Sequence, residues 1–460
     1  MSKKLRNRYE QYRTWLEKSP TLAKGLEQKQ IKDVSEGIDT YVLGPSLNGF
    51  VLWVLQDAQR KGIQRLYFLA RDGYFMYRCA TVLCEQLNIA IDCRYLYCSR
   101  YSLRIPSYHL NMQDAMEYIC KGGIDVTRRK IVERSGIGKE EQREVLEILG
   151  YSRNADEIVP YARLGEIRKE LEECETFQRY TQQNSQKNFP ILKDYLIQEK
   201  LLEDNGAALV DSGWVGSMQK TLNRVLKELG RNREVEGYYW GLYELPEGAS
   251  EKYYYCYYFS PKKGLKEKVY FSNCLFEAVF SAPHGMTVGY EKQEDKIVPV
   301  LEQFSQERKA FLEKTESYLM QYTEHLAGNL TRQVQETGWG LAKLDCASDV
   351  KIVKRLMAEF MGHPLREEAE VYGKLRFSDD IMDDARKQVA EPLNEKELRD
   401  NHVINKALHM LGIRHGYIKE SAWYEGSAAL AGECAEVHRR QYALYKYLLY
   451  IRQSYLKRRK

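Results

Sequence analysis

Apolar residues first recur at helical spacing, then gather into short continuous runs, and that alternation divides the chain. Residues 1–45 are polar with helical spacing and are predicted to close at the Gly44-Pro45 breaker. Ser46 is placed to cap an apolar helix, LNGFVLWVLQDAQRKG, that stops at Gly62. RLYFLA at 65–70 reads as a short buried strand and Arg71-Asp72-Gly73 as its turn. A helix from Tyr74 to about Leu87 and a strand CRYLYCS at 93–99 follow. Strand, turn, helix and strand in that order mark a parallel α/β unit.

Residues 105–200 break the rhythm: they are charged and periodic in the helical sense, as in EEQREVLEILG, and read as a helical insertion or lid. The α/β pattern returns with the strand AALVD at 207–211, a glycine-rich turn, the helix MQKTLNRVLKELG and the strand EGYYWGLYE at 236–244. A tyrosine-rich strand, KYYYCYYFS at 252–260, comes next, and from about 305 the chain is mostly charged helix. The expected organisation is an N-terminal helical segment (1–45) and an α/β core (46–104 and 201–300). The insertion (105–200) interrupts that core, and a helical C-terminal domain with a basic tail (301–460) follows it.

Composition narrows the classes. The chain has 460 residues, a formal charge of +5 and 43% hydrophobic residues, enough for a core and too balanced for a nucleic-acid-coating protein. The start, MSKKLRNRYEQYRTW, lacks the apolar stretch of a secretory signal, and the ten cysteines contain no C-x-x-C pair. A cytoplasmic protein with reduced thiols is the expectation. Tyrosine supplies 35 residues, and rings with a polar tip suit half-wet, sugar-facing clefts.

Three strand ends carry chemistry. In ALVDSGWVGSMQKTL, Asp211 closes a buried run, and the small residues Ser212, Gly213, Gly216 and Ser217 open a helix continuing through Met218 and Gln219. Such a turn converges backbone N–H groups on one point, where phosphate binds readily. In LYFLARDGYFMYR, Arg71, Asp72 and Gly73 sit where open α/β sheets place ligands, and Ser99-Arg100 ends a third strand. In FEAVFSAPHGMTVGY, Glu277 and His284 flank a Ser-Ala-Pro-His-Gly turn, and a carboxylate there could serve as a base.

The set YFLARDGYF, YLYCSRYSL, LVDSGWVGSMQKTL, GYYWGL and EAVFSAPHG resembles bacterial proteins found with surface-polysaccharide glycosyltransferases. These are often labelled haloacid-dehalogenase-related, and some are understood as phosphoribosyl-diphosphate-dependent ribofuranosyl transferases. The strand–turn–helix at Asp211 also resembles the ribose-5-phosphate loop of type I phosphoribosyltransferases, and Ala70 to Gly73 their pyrophosphate loop. The resemblance spans about residues 41–290. It implies a parallel sheet of phosphoribosyltransferase type and transfer of 5-phosphoribosyl to a sugar hydroxyl of a glycan or lipid-linked glycan, with a separate phosphatase and other glycosyltransferases as partners. Asp211 would hold ribose hydroxyls, and the amides of Gly216 to Gln219 the 5-phosphate. Arg71, Arg100 and a Mg²⁺ bound mainly through the donor would offset the diphosphate charge, and Asp72 or Glu277 would take the acceptor proton. Gly73, Ser99, Ser212, Gly213 and His284 would line the substrates.

Two departures stand out. The ordinary ribose loop has two successive acids, whereas Ser212 follows Asp211, and the usual Thr-Gly-x-Thr cradle is replaced by Gly216-Ser217-Met218-Gln219. Phosphatase chemistry of the dehalogenase kind needs a D-x-D pair, and neither Ala70-Arg71-Asp72 nor Asp211-Ser212-Gly213 provides one. The rival from another class is a non-catalytic sugar-phosphate-binding or assembly protein.

Other clusters are weaker. The run Asp379-Asp380-Ile381-Met382-Asp383-Asp384 reads as an exposed helix start, and His402, His409 and His415 lack ligand spacing, so no protein-held metal site is expected. The tail at 438–460 has eight Lys/Arg and no acid. It suits peripheral contact with an anionic membrane at the inner face, and no nucleic-acid partner is expected.

Overall fold

Five short strands pair side by side, all parallel, in the order β2-β1-β3-β4-β5. They are β1 (Arg65–Leu69), β2 (Asp92–Leu96), β3 (Ala207–Trp214), β4 (Glu236–Leu242) and β5 (Tyr254–Phe259). The structure is a computed structural model and describes residues 1–457 apart from 124–125, 339, 378–386 and 433. The acidic run at 379–384 therefore lies outside the described residues. The order 2-1-3-4-5 is doubly wound, and its direction reverses between β1 and β3, where sheets of this order form a crevice outside the carboxyl ends of the strands.

Alternation along the strands supplies two apolar faces. Leu66, Phe68, Ala208, Val210 and Trp240 point into one buried cluster. Onto it pack α1 (Lys3–Leu16), α2 (Gly44–Lys61) and α3 (Tyr74–Gln86). Tyr67, Leu69, Leu96 and Leu209 point to the other face. That face is covered by α4 (Arg100–Arg104), the end of α5 (Glu175–Gln198) and α6 (Ser217–Glu228). Helix α7 (Asn273–Val279) leads into the antiparallel hairpin β6 (Thr287–Gln293) and β7 (Lys296–Leu301). The long α8 (Gln306–Thr337) and α9 (Cys346–Gly362) return to the first face. Helices α10 (Val403–Met410), α11 (Tyr424–Ala431) and α12 (Ala435–Lys457) close the chain.

The segment between β2 and β3 gathers its own buried cluster, from Ile105 and Tyr108 through Ile131 and Val145 to Phe177. Helix α5 starts in that cluster with Phe177 and ends on the sheet with Leu192, Tyr195 and Leu196, so it ties the insertion to the core.

Two local expectations are corrected. The Gly44-Pro45 pair does not stop the helix. Helical turns at Val34–Ile38 widen into a π segment at Asp39–Leu43, and α2 continues from it with Pro45 in its first turn. The wide turn lets Gly44 bond back to Asp39, and proline's missing donor falls where a first turn does without one. Ser46 is consequently no cap; its hydroxyl is buried inside the helix without a hydrogen-bond partner. The continuous helix Val34–Lys61 is long and apolar enough to cross a membrane, and 89% of its most apolar window is buried in the protein.

Candidate functional site

The site is built at the carboxyl edge of β1, β2 and β3. Past Leu69, the Ala70 amide still bonds the Leu96 carbonyl at 3.0 Å, so the chain turns only at Arg71-Asp72-Gly73. Gly73 donates its N–H to Leu69 O at 2.8 Å, and a Cβ at Gly73 would lie 2.6 Å from that oxygen. Only glycine lets α3 start this close to the strand, and the tight start presents Asp72 to the crevice. Strand β2 ends at Leu96, earlier than predicted, and Ser99 caps α4 by accepting from Ser102 N at 3.0 Å. The Ser99 hydroxyl also donates to Thr287 O at 2.7 Å, so this predicted substrate contact serves the frame. Arg100 is the first residue of α4 and is exposed.

Strand β3 runs three residues past Asp211, which corrects the predicted turn. Ser212, Gly213 and Trp214 remain paired strand, with Gly213 opposite Gly241. A Cβ at Gly213 would meet Gly241 O at 2.6 Å, and its φ of +109° is open only to glycine. The turn into α6 therefore shrinks to Val215 and Gly216, and the first helical turn is Ser217-Met218-Gln219.

Three carboxylates belong to this edge, and Asp72 acts electrostatically on both Asp211 and Glu277. Ser212 Oγ donates to Asp72 Oδ2 at 2.5 Å, and Trp214 Nε1 donates to Glu277 Oε1 at 2.5 Å. Asp211 accepts from the backbone N–H groups of Ser212 and Gly213. Burial pushes the Asp211 carboxyl up to about 7, and the charge of Asp72 adds to the rise. Burial and Asp72 likewise raise Glu277 to about 7, against the pull of its Trp214 bond. Asp72 is raised by burial, while the Ser212 bond and the charges of Arg71, Arg100 and Arg308 oppose that. Asp211 and Glu277 are thus held near the balance between their charged and neutral forms. Such a group can give or take a proton at neutral pH.

Cations stand close to these acids. Arg100 acts on all three acids and Arg71 on Asp72 and Glu277. Arg104, one turn along α4 from Arg100, donates from Nη2 to Ser217 Oγ at 2.7 Å, at the N-terminus of α6. Its guanidinium lies 4.2 Å from the Tyr118 ring centroid, and its Nε is buried without a partner. Burial and the repulsion of Arg100 lower the pKa of Arg104. Lys121 at the rim is lowered by desolvation and by the charges of Arg100 and Arg104. Arg104 and Lys121 carry no motif; the signal for Arg104 was a cation inside the apolar run YSLRIPSY.

The remaining predicted residues divide. His284 joins a wall of rings: its Nε2 meets the Tyr95 hydroxyl at 2.9 Å, its Nδ1 meets Gly285 O at 2.8 Å, and Tyr97 lies 5.2 Å away by ring centroid. Burial lowers its pKa, so the neutral ring donates from Nδ1 and accepts at Nε2. The Gln219 side chain turns away from the crevice, donating to Val235 O and Tyr253 O and accepting from Tyr239. Met218 packs on the apolar cluster beneath the sheet. Only the backbone of these two residues faces the predicted role. His402 and His438 bond at 2.8 Å, and His438 meets Glu395 at 3.2 Å, a chain that fastens α12 to its neighbours. His409 meets Gly416 O. No family model matches this chain, and no curated protein matches it either.

Proposed function

We propose that this protein is a glycosyltransferase that moves 5-phosphoribosyl from phosphoribosyl diphosphate to a sugar hydroxyl of a bacterial glycan, on a sheet of phosphoribosyltransferase type. The observation that carries the reading is the meeting of Asp72, Asp211 and Glu277 with Arg71 and Arg100 at one sheet edge. Breaking the bond from C1 to the diphosphate leaves positive charge on the ribose ring and negative charge on the leaving group. Carboxylates and guanidinium groups at one sheet edge answer both. Asp211 accepts hydrogen bonds from the ribose hydroxyls, and the first turn of α6, with Arg104 at its mouth, takes the 5-phosphate. Glu277, held by Trp214 and poised near neutrality, takes the proton of the acceptor hydroxyl as it attacks C1, with Asp72 as the other base.

Asp72 and Asp211 fit a divalent cation in part, because the charge of Asp72 acts against ionised Asp211 and a cation between them would relieve it. Among the described residues no group of three ligating side chains gathers, so Mg²⁺ would take its other ligands from the donor and from water. Its contribution when bound is neutralisation of diphosphate charge. The tyrosine-lined side formed by Tyr74, Tyr95, Tyr97 and His284 suits the face of an acceptor sugar. A separate phosphatase then removes the 5-phosphate, and the reaction belongs in the cytoplasm, at the inner face of the membrane.

The test is direct. Purified protein with phosphoribosyl diphosphate, Mg²⁺ and lipid-linked glycans should release pyrophosphate and yield a phosphoribosylated glycan. Tight donor binding without pyrophosphate release on any acceptor would favour a non-catalytic sugar-phosphate-binding protein, the reading to which Ser212 in place of a second acid points.

A further inference from the structure

The outward face of α12 carries a row of exposed apolar side chains. Its inward face is fixed by Lys446 on Glu425 at 2.7 Å, by Tyr450 stacked on Tyr243, and by the His438 chain. Val437, Leu444, Leu448 and Ile451 fall on the opposite side, at the i, i+7, i+11, i+14 spacing of one helical stripe. A helix this well seated on one side has no internal reason to carry leucines on the other. Helix α10 packs beside α12, with Arg452 Nη1 3.9 Å from Met410 Sδ, and Leu411 and Ile413 follow directly on α10. These six side chains are between 47% and 72% exposed.

Charge decides what covers this face. Residues 401–419 and 437–460 contain no acid. Glu436 holds Arg439 and Arg440, and Glu425 holds Lys446, while the sequence past the apolar stripe adds Arg452 and Lys457-Arg458-Arg459-Lys460. An apolar stripe ending in clustered cations fits a surface that is apolar just below a layer of negative charge. A soluble partner would be expected to meet both flanks with carboxylates, and the chain's own acids here are already engaged.

We propose that α12 and the turn after α10 form an interfacial docking surface for an anionic lipid bilayer. Leu444, Leu448, Ile451 and Leu411 enter the headgroup boundary, and the terminal cations meet lipid phosphates. The surface is independent of the transfer reaction, and its test reads lipid binding alone. Full-length protein should co-sediment with phosphatidylcholine vesicles containing about 30% phosphatidylglycerol and far less with phosphatidylcholine alone, and high salt should weaken the binding. Leu448→Glu should reduce partitioning about tenfold or more with an unchanged thermal melt, since the residue is exposed. A chain ending at Ile451 should lose the preference for the anionic lipid. Equal sedimentation with both lipids, or wild-type partitioning by Leu448→Glu, overturns the proposal. A dimer that Leu448→Glu dissociates, with no vesicle binding, overturns it too and gives the face to a second copy of this chain.

Discussion

Ser212 Oγ lies 2.5 Å from Asp72 Oδ2, joining two residues 140 positions apart in the chain. In the proposed transferase reading, Ser212 stands where a ribose loop would carry its second acid. The bond brings a carboxylate from the turn after β1 to that place, so two acids, Asp211 and Asp72, face the crevice from different strands.

Removing the hydroxyl tests this arrangement. Ser212→Ala leaves a buried carboxylate short of a donor, at a cost of about 1–3 kcal/mol in urea unfolding. The Asp72 carboxyl should rise further, because the lost bond is the largest influence opposing its burial. Pyrophosphate release near pH 7 should fall about tenfold and recover partly at higher pH, as expected when an ionised form has been depleted. A variant as stable and as active as wild type would show that the bond contributes nothing to either.

Asp211→Asn separates charge from shape. The Asp211 carboxyl stands at about 7 in the fold and near the ordinary carboxylate value when unfolded. Between about pH 4 and pH 7 the folded chain therefore binds the extra proton, and stability falls as pH rises through that window. Asparagine removes that slope. The variant should be the more stable protein above pH 7, by on the order of 2 kcal/mol once solvent contact of the half-buried group is allowed for. It should also lose most activity, because a neutral amide gives ribose hydroxyls no charge-assisted bond. Parallel unfolding curves at pH 5 and pH 8 for both proteins check the sign.

The strands were legible because a parallel sheet covered on both faces needs continuous apolar runs, and RLYFL and AALV are such runs. Their acidic ends were legible for the complementary reason: Asp72 and Asp211 cannot sit among Phe68 and Val210, so they mark the edge. What escaped the sequence was distance and direction. Nothing in the local pattern pairs Ser212 with Asp72 or Trp214 with Glu277, since each contact closes only when separate elements dock. Pro45 misled for a different reason. Its missing donor stops an ordinary helix, but a π turn just before it absorbs the defect. Ser99 and Gln219 show a third kind of miss, a polar side chain in the right loop that the frame itself consumes.

Arg100 tests the leaving-group side. It lowers the pKa of Asp72, Asp211 and Glu277 and has no carboxylate within bonding distance among the described residues. Arg100→Ala should reduce kcat by about 10²-fold, with a smaller loss of donor affinity, because diphosphate charge grows as the bond breaks. The rising limb of the pH–rate profile should also move to higher pH, as Asp211 and Glu277 lose a stabilising charge. Arg100→Lys should recover the pH limb better than the rate, since an ammonium keeps the charge but not the fork. A wild-type rate in Arg100→Ala would place the diphosphate elsewhere.

Arg104 should behave in the opposite way. It stands at the N-terminus of α6, bonded to Ser217, with its Nε unpartnered. A phosphate there would meet the helix amides and the guanidinium together, and the helix dipole would add to both. The 5-phosphate keeps its charge throughout the reaction, so this contact is equally strong before and during bond breaking, and uniform binding lowers KM without raising kcat. Arg104→Gln should therefore raise KM for phosphoribosyl diphosphate about tenfold, weaken inhibition by ribose 5-phosphate in parallel, and leave kcat within about twofold. Part of any stability loss will come from the Tyr118 ring, which the guanidinium covers. Arg104→Lys keeps a cation over that ring and distinguishes packing from phosphate recognition: stability should return before KM does. If Arg104→Gln lowers kcat as Arg100→Ala does while KM stands still, the two arginines share the diphosphate and the α6 terminus holds no phosphate.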